Sequence, residues 1–177
     1  MRWACLVLVA AASLGGPLNT AMAQIPITSW ETVDSDPHFR IELPAPVERE
    51  TETDEDGVVS RDFAHDADIG TYFLFSVIDY PESEDAADVR DLLLGMQEAA
   101  IESLEDGVRA TAAEVGLGQW PGRMFSAVFD SGRLLMQGRL YFTHGNRLYM
   151  ITVVSRPRDA DDPAIQRYFA SFRLIGD

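Results

Sequence analysis

Apolar and polar residues change places in short runs along most of the chain, which is the pattern of strands. Trp30 to Val33 reads as an edge strand, and Phe39-Arg40-Ile41-Glu42-Leu43 alternates until Pro44 and Pro46 end it. Val47 to Thr53 and Val58 to Ala64 flank Asp54-Glu55-Asp56-Gly57, whose Asp-Gly step is a tight-turn signal, so these two runs predict a hairpin. Gly70 to Asp79 is apolar at nearly every position and predicts a central strand buried on both faces.

Helical spacing begins after Pro81-Glu82-Ser83-Glu84-Asp85. Val89, Leu92, Leu93, Met96, Ala100 and Leu104 recur at three and four residues, acidic residues crowd the first turn, and Gly107 is placed to end the helix. Glu98, Glu102 and Glu105 form its outer face. A second group of strands follows over Thr111 to Val115, Arg123 to Phe129, Arg133 to Thr143 and Arg147 to Val154. With Gly145-Asn146 as a two-residue loop, His144 opposes Arg147, Phe142 opposes Tyr149 and Leu140 opposes Ile151, so Leu140, Phe142, Tyr149 and Ile151 share one apolar face. The other face of this hairpin is mixed, which predicts cover on both sides of the sheet. Asp161-Asp162-Pro163 then supplies an N-cap and a proline for the first turn, and Ile165, Tyr168, Phe169 and Phe172 make the stripe of a short terminal helix. The expected fold class is α+β, an antiparallel sheet packed between helices as an α/β/α sandwich.

The first residues change the picture of where this domain works. Arg2 precedes an apolar run from Trp3 to Leu14, Gly15-Gly16-Pro17 breaks it, and Ala21-Met22-Ala23 offers small residues for cleavage before Gln24. Residues 1–23 are therefore expected to be a signal peptide and residues 24–177 a single exported domain, periplasmic or secreted. The apolar run falls short of the roughly 20 residues that span a bilayer. The one cysteine, Cys5, lies in that segment, so disulfides, a thiol nucleophile and thiolate metal sites are excluded from the mature chain. All 14 basic residues are arginine, which removes Schiff-base and lysine-base chemistry. Charge is divided: residues 24–107 hold 4 Arg and 23 Asp or Glu, and residues 108–177 hold 9 Arg and 6 Asp or Glu. The acidic total argues against nucleic acid and anionic lipid as partners.

Several phrases are shared with a known group. Phe39-Arg-Ile-Glu-Leu-Pro44, the tyrosine-containing strand from Gly70, Gly118-Gln-Trp-Pro-Gly-Arg123-Met-Phe125, Arg139-Leu-Tyr-Phe with Asn146-Arg-Leu-Tyr149, and Tyr168-Phe-Ala-Ser-Phe172 resemble the PsbP-like superfamily over roughly residues 38 to 174. The resemblance implies an antiparallel sheet between helices and a non-catalytic binding or assembly role, with no metal-ligand pattern or cofactor to carry over.

Candidate chemistry is sparse. Glu52, Asp54 and Asp56 before Gly57 begin like a calcium loop, but the twelfth position is Phe63 where a bidentate Glu is required. His38, His65 and His144 lack the spacing that aims two imidazoles at one metal, and no glycine-flanked nucleophile elbow is present. The cluster that suggests binding is aromatic and cationic: Trp120, Arg123, Arg139, Tyr141, Arg147 and Tyr149. Trp, Tyr and Arg dominate interface hot spots, whereas in a core the same rings lie under arginine stems. The expected function is a non-catalytic, protein-binding envelope domain; the alternative is a periplasmic binder of a small acidic ligand or metal ion. Intact mass of the exported protein should show a chain beginning at Gln24, and a full-length species confined to the cytoplasm would contradict export.

Overall fold

A computed structural model describes residues 29–34, 38–54, 57–66, 70–80, 86–104, 109–143 and 146–175. In chain order these form β1 (Trp30–Val33), β2 (Phe39–Pro44), β3 (Glu48–Asp54), β4 (Gly57–Asp66) and β5 (Thr71–Asp79), then helix α1 (Ala86–Glu102). After it come β6 (Arg109–Leu117), β7 (Trp120–Phe129), β8 (Leu134–Thr143), β9 (Arg147–Ser155), helix α2 (Pro163–Ser171) and β10 (Arg173–Leu174). The order of strands and helices agrees with the pattern of the chain. The proposed signal segment, the residues ahead of α1, Glu105 and Gly107 lie outside the described residues.

Seven strands make one antiparallel sheet in the order β3-β4-β5-β9-β8-β7-β6, and β1-β2-β10 make a second, smaller one. The expected helix-sandwiched α+β layering is thereby corrected: strands dominate the described residues, and the fold is mostly β. The reason lies in β1 and β2. Their apolar residues Val33, Phe39, Ile41 and Leu43 are buried against Phe73, Phe75, Tyr149, Ile151 and Val153 of the large sheet, so a sheet does most of the covering on that side. Nine residues of α2 add Ile165, Tyr168 and Phe169 to the same layer. On the opposite face α1 alone buries Val89, Leu93, Met96 and Ala100 against Phe125, Leu140, Phe142, Leu148 and Met150.

Polar contacts lock α2 onto β2. Asp162 caps the helix by accepting from the Ala164 amide at 2.8 Å, as its sequence predicts. The Glu42 amide donates to Ser171 Oγ at 3.0 Å, and Arg167 donates twice to Glu42 Oε2, at 2.9 and 2.7 Å, while lying 4.3 Å over the Trp30 ring. Tyr168 is fully buried and its hydroxyl donates to the Leu74 carbonyl at 2.7 Å; burial pushes that hydroxyl well above the ordinary tyrosine range.

The last hairpin departs from the expected register by one residue. Thr143 opposes Arg147, Tyr141 opposes Tyr149 and Leu140 opposes Met150. Asn146, at φ 58°, ends a connection of three residues, whereas the two-residue loop would have begun pairing at residue 144. A one-residue shift regroups the faces: Leu140, Phe142, Leu148 and Met150 face α1, and Tyr141, Tyr149 and Ile151 face β2 and α2. Two glycines are explained by rings laid across them. A Cβ at Gly138 would enter the Phe125 ring, and one at Gly122 would enter the Tyr141 ring.

Leu93 is 2 % exposed and Glu102 lies on the open side of α1. Leu93→Ala should cost about 2–5 kcal/mol by leaving a cavity, and Glu102→Ala no more than about 0.5 kcal/mol. Equal losses in thermal melts would contradict this packing.

Candidate functional site

The cover on the α2 side stops partway across the large sheet. One cross-strand row runs Phe75, Ile151, Arg139, Met124 and Ala113 from β5 to β6. Phe75 and Ile151 have no exposure, Arg139 is half-buried, Met124 is 43 % exposed and Ala113 is exposed. The next row passes from buried Phe73 and Val153 through Gln137 to Ser126 and Thr111, whose hydroxyls are 2.8 Å apart. Core thus gives way to a cleft of about 250 Å³, floored by β6, β7 and β8 and walled by Gln166 and Phe169 of α2. On the α1 face a second cleft, of about 410 Å³, lies between Leu93 and Leu94 of the helix and Val115, Pro121 and Arg123 of the sheet. Between the two clefts runs β6, the edge strand, exposed or half-buried at all nine positions.

The six residues singled out in the sequence are divided by this architecture. Tyr141 and Tyr149 are buried, and both rings pack on Phe172, at centroid distances of 5.9 and 5.3 Å. Arg139 shares their face and lies 4.6 Å over the Phe169 ring. Arg123 points the other way: its Nε donates to Gln97 Oε1 of α1 at 2.6 Å, and its Nη1 lies 3.9 Å from Glu114. Trp120 opens β7, half-buried, opposite Leu117. Arg147 begins β9 and is held by the Asp79 carboxylate of β5. Burial disfavours its charge, but hydrogen bonds with Asp79 and Tyr149 outweigh that and raise its pKa above the ordinary arginine value.

Of these six, only Arg139 lines the α2-face cleft. Its companions there, Gln137, Met124, Ser126 and Phe169, lie outside the aromatic and cationic selection because their meeting depends on the β7–β8 register, which pairs Met124 with Arg139. The usable signal was the run of small residues in β6, Ala110, Ala112, Ala113 and Gly116, too slight to support a covering layer.

Among the described residues, no group of three or more His, Cys, Asp or Glu comes together to hold a metal. His65 stacks on Tyr72 at 4.1 Å, with burial lowering its pKa against the opposing pull of Asp66. Glu52 is used by Arg61, 3.3 Å away; His144 and Asp56 lie outside the described residues. No described helix is long and apolar enough to cross a membrane.

No family model and no curated protein matches the chain, so the PsbP-like resemblance rests on the sequence phrases that carry it. Among solved structures, LpqN of Mycobacterium tuberculosis, described as involved in cell envelope biogenesis, is similar at 11% identity over 84% of this chain and 91% of that chain, with a TM-score of 0.46. The functional reading rests on this chain's own residues.

Arg147 has 18% side-chain exposure and joins two halves of the sheet through Asp79. Arg147→Glu sets two carboxylates against each other and should cost about 2 kcal/mol, less than for a fully buried pair. Tm should fall by roughly 4–8 °C; an unchanged Tm would show that the pair is not structural.

Proposed function

We propose that the protein is an exported, non-catalytic binding domain that holds a segment of another protein at the open β6–β7 end of its large sheet. The observation that carries this reading is β6, a nine-residue edge strand left accessible on both faces, with a cleft along each. The opposite edge, β3, is unlike it: Glu48, Arg49, Glu50 and Glu52 line it with charge, the usual protection against pairing with other chains. The α2-face cleft contains groups that bind and orient, a guanidinium, two amides and a hydroxyl pair, with no histidine or carboxylate among its lining residues to act as a base. Four arginines, 109, 123, 133 and 139, against Glu114 and Asp130 over residues 109–143 favour an acidic partner, whose association would weaken with salt. A small acidic ligand is the second reading, supported by Arg139 on the cleft floor; the open mouth favours a chain segment.

A photo-crosslinking amino acid at Ala113 of β6 should trap a defined protein in cells, and the same probe at exposed Glu98 on α1 should not. Equal labelling from both positions, or none from Ala113, would remove this end of the sheet from the binding surface.

A further inference from the structure

Two polar groups in the α2-face cleft are left without the partners their chemistry requires. Arg139 is half-buried, its guanidinium over Phe169, and no carboxylate pairs with it among the described residues. Gln137 lines the same cleft two residues earlier on the same strand face, and its Oε1 is buried with no hydrogen-bond partner. An arginine removed from bulk water calls for an anion, and a buried amide oxygen calls for an N–H or O–H donor. Nothing bonds Oε1 in its inward setting, so rotation about the last side-chain bond can turn it to the cleft, where the terminal torsion of glutamine is broad.

The two Cα atoms are about 7 Å apart, two residues along a strand. A cation and an acceptor borne side by side on one strand face suit a carboxylate with an N–H on the neighbouring carbon. We infer that this cleft binds an α-carboxylate and its adjacent N–H, the unit at a polypeptide C-terminus and in a free amino acid. Arg139 donates to the carboxylate and Gln137 Oε1 accepts from the N–H. Met124, 43 % exposed, and Phe169 offer apolar surface for the side chain of that terminal residue. Thr111 and Ser126 satisfy one another at 2.8 Å, which leaves the ligand's charge to Arg139. The inference rests on the binding reading of this end of the sheet and names the group it would take.

The test uses the full exported protein and four probes in calorimetric or fluorescence titrations. These are a tetrapeptide ending in leucine with a free carboxylate, its C-terminal amide, the same peptide N-methylated at leucine, and free leucine. The free-acid peptide should bind saturably, and the amide and N-methyl forms at least tenfold more weakly. Arg139→Ala should weaken the free acid at least tenfold. Gln137→Leu should weaken it severalfold without lowering Tm, because it removes a buried oxygen that has no partner; a structural role would instead lower Tm and spare affinity. Free leucine binding as tightly as the peptide supports the site with a free amino acid as its ligand, and binding by the peptide alone supports a C-terminus. Equal binding of acid and amide forms, or no binding by any probe, overturns the inference. If that result is accompanied by specific trapping from Ala113, the carboxylate site fails while the binding reading stands; loss of both removes the two together.

Discussion

The large sheet carries apolar side chains on both faces of β5 and β9, and it must therefore be covered twice. Phe73, Phe75 and Val77 look one way from β5, and Ile78 the other, all nearly without exposure. Burial of that kind contributes roughly 1.5–3 kcal/mol per large side chain, so neither face can be left to water. One face is met by the 17 residues of α1. The other is met by two short strands and a nine-residue helix, joined by Arg167 on Glu42 and Trp30 and by Ser171 on the Glu42 amide. Everything distinctive about the molecule follows from how far those two covers extend.

Neither covers the first part of the last strand, Arg109 to Glu114; only Val115 and Leu117 near its end pack against the α2-side core. Proceeding outward from β9, side chains on the α2 face pass from buried Ile151 to half-buried Arg139 to exposed Met124 and Ala113. An uncovered sheet face is tolerable only where its side chains are small or polar, which describes β6 from Arg109 to Glu114. An uncovered edge also presents unpaired backbone groups, and proteins usually defend such edges with charge. β3 is defended in that way along most of its length, whereas β6 carries only Arg109 and Glu114. The proposed binding at one end of the sheet rests on that asymmetry more than on any single side chain.

Local signals made much of this architecture legible in the sequence, because they are short in range. The bounds of β1 coincide with the expected Trp30 to Val33, the Asp162 cap is where its side chain predicts, and α1 buries Val89, Leu93, Met96 and Ala100 as their spacing requires. What could not be read was how elements pair or stack. A loop of three residues in place of two moved Tyr149 from opposite Phe142 to opposite Tyr141, and the predicted shared face dissolved with it. Layering failed for a related reason: amphipathic β1 and β2 say that they cover something, and helix α2 says the same, but neither states which does more. For the site, residue type located Arg139 and missed Gln137. A glutamine in a strand carries no sign that its oxygen will find no partner, since that depends on where α2 ends.

Electrostatics joins these layers to the site. Among the described residues, Arg147 on Asp79 and Arg167 on Glu42 join the acidic first half of the chain to the basic second half, each linking residues more than 60 positions apart. Other arginines pair nearby in sequence: Arg133 on Asp130, Arg156 and Arg158 on Asp159, and Arg123 on Glu114. Where the guanidinium is largely buried, as at Arg123 and Arg147, the chain supplies it with a polar partner, since a buried one without a counterion is costly. Arg139 departs from that rule among the described residues, with an aromatic ring where its neighbours have a carboxylate. A stack on phenylalanine offsets part of the desolvation and orients the group without neutralising it. The inferred anion site rests on an arginine oriented by a ring and without a carboxylate partner among the described residues, at the floor of a cleft beside an unpaired amide oxygen.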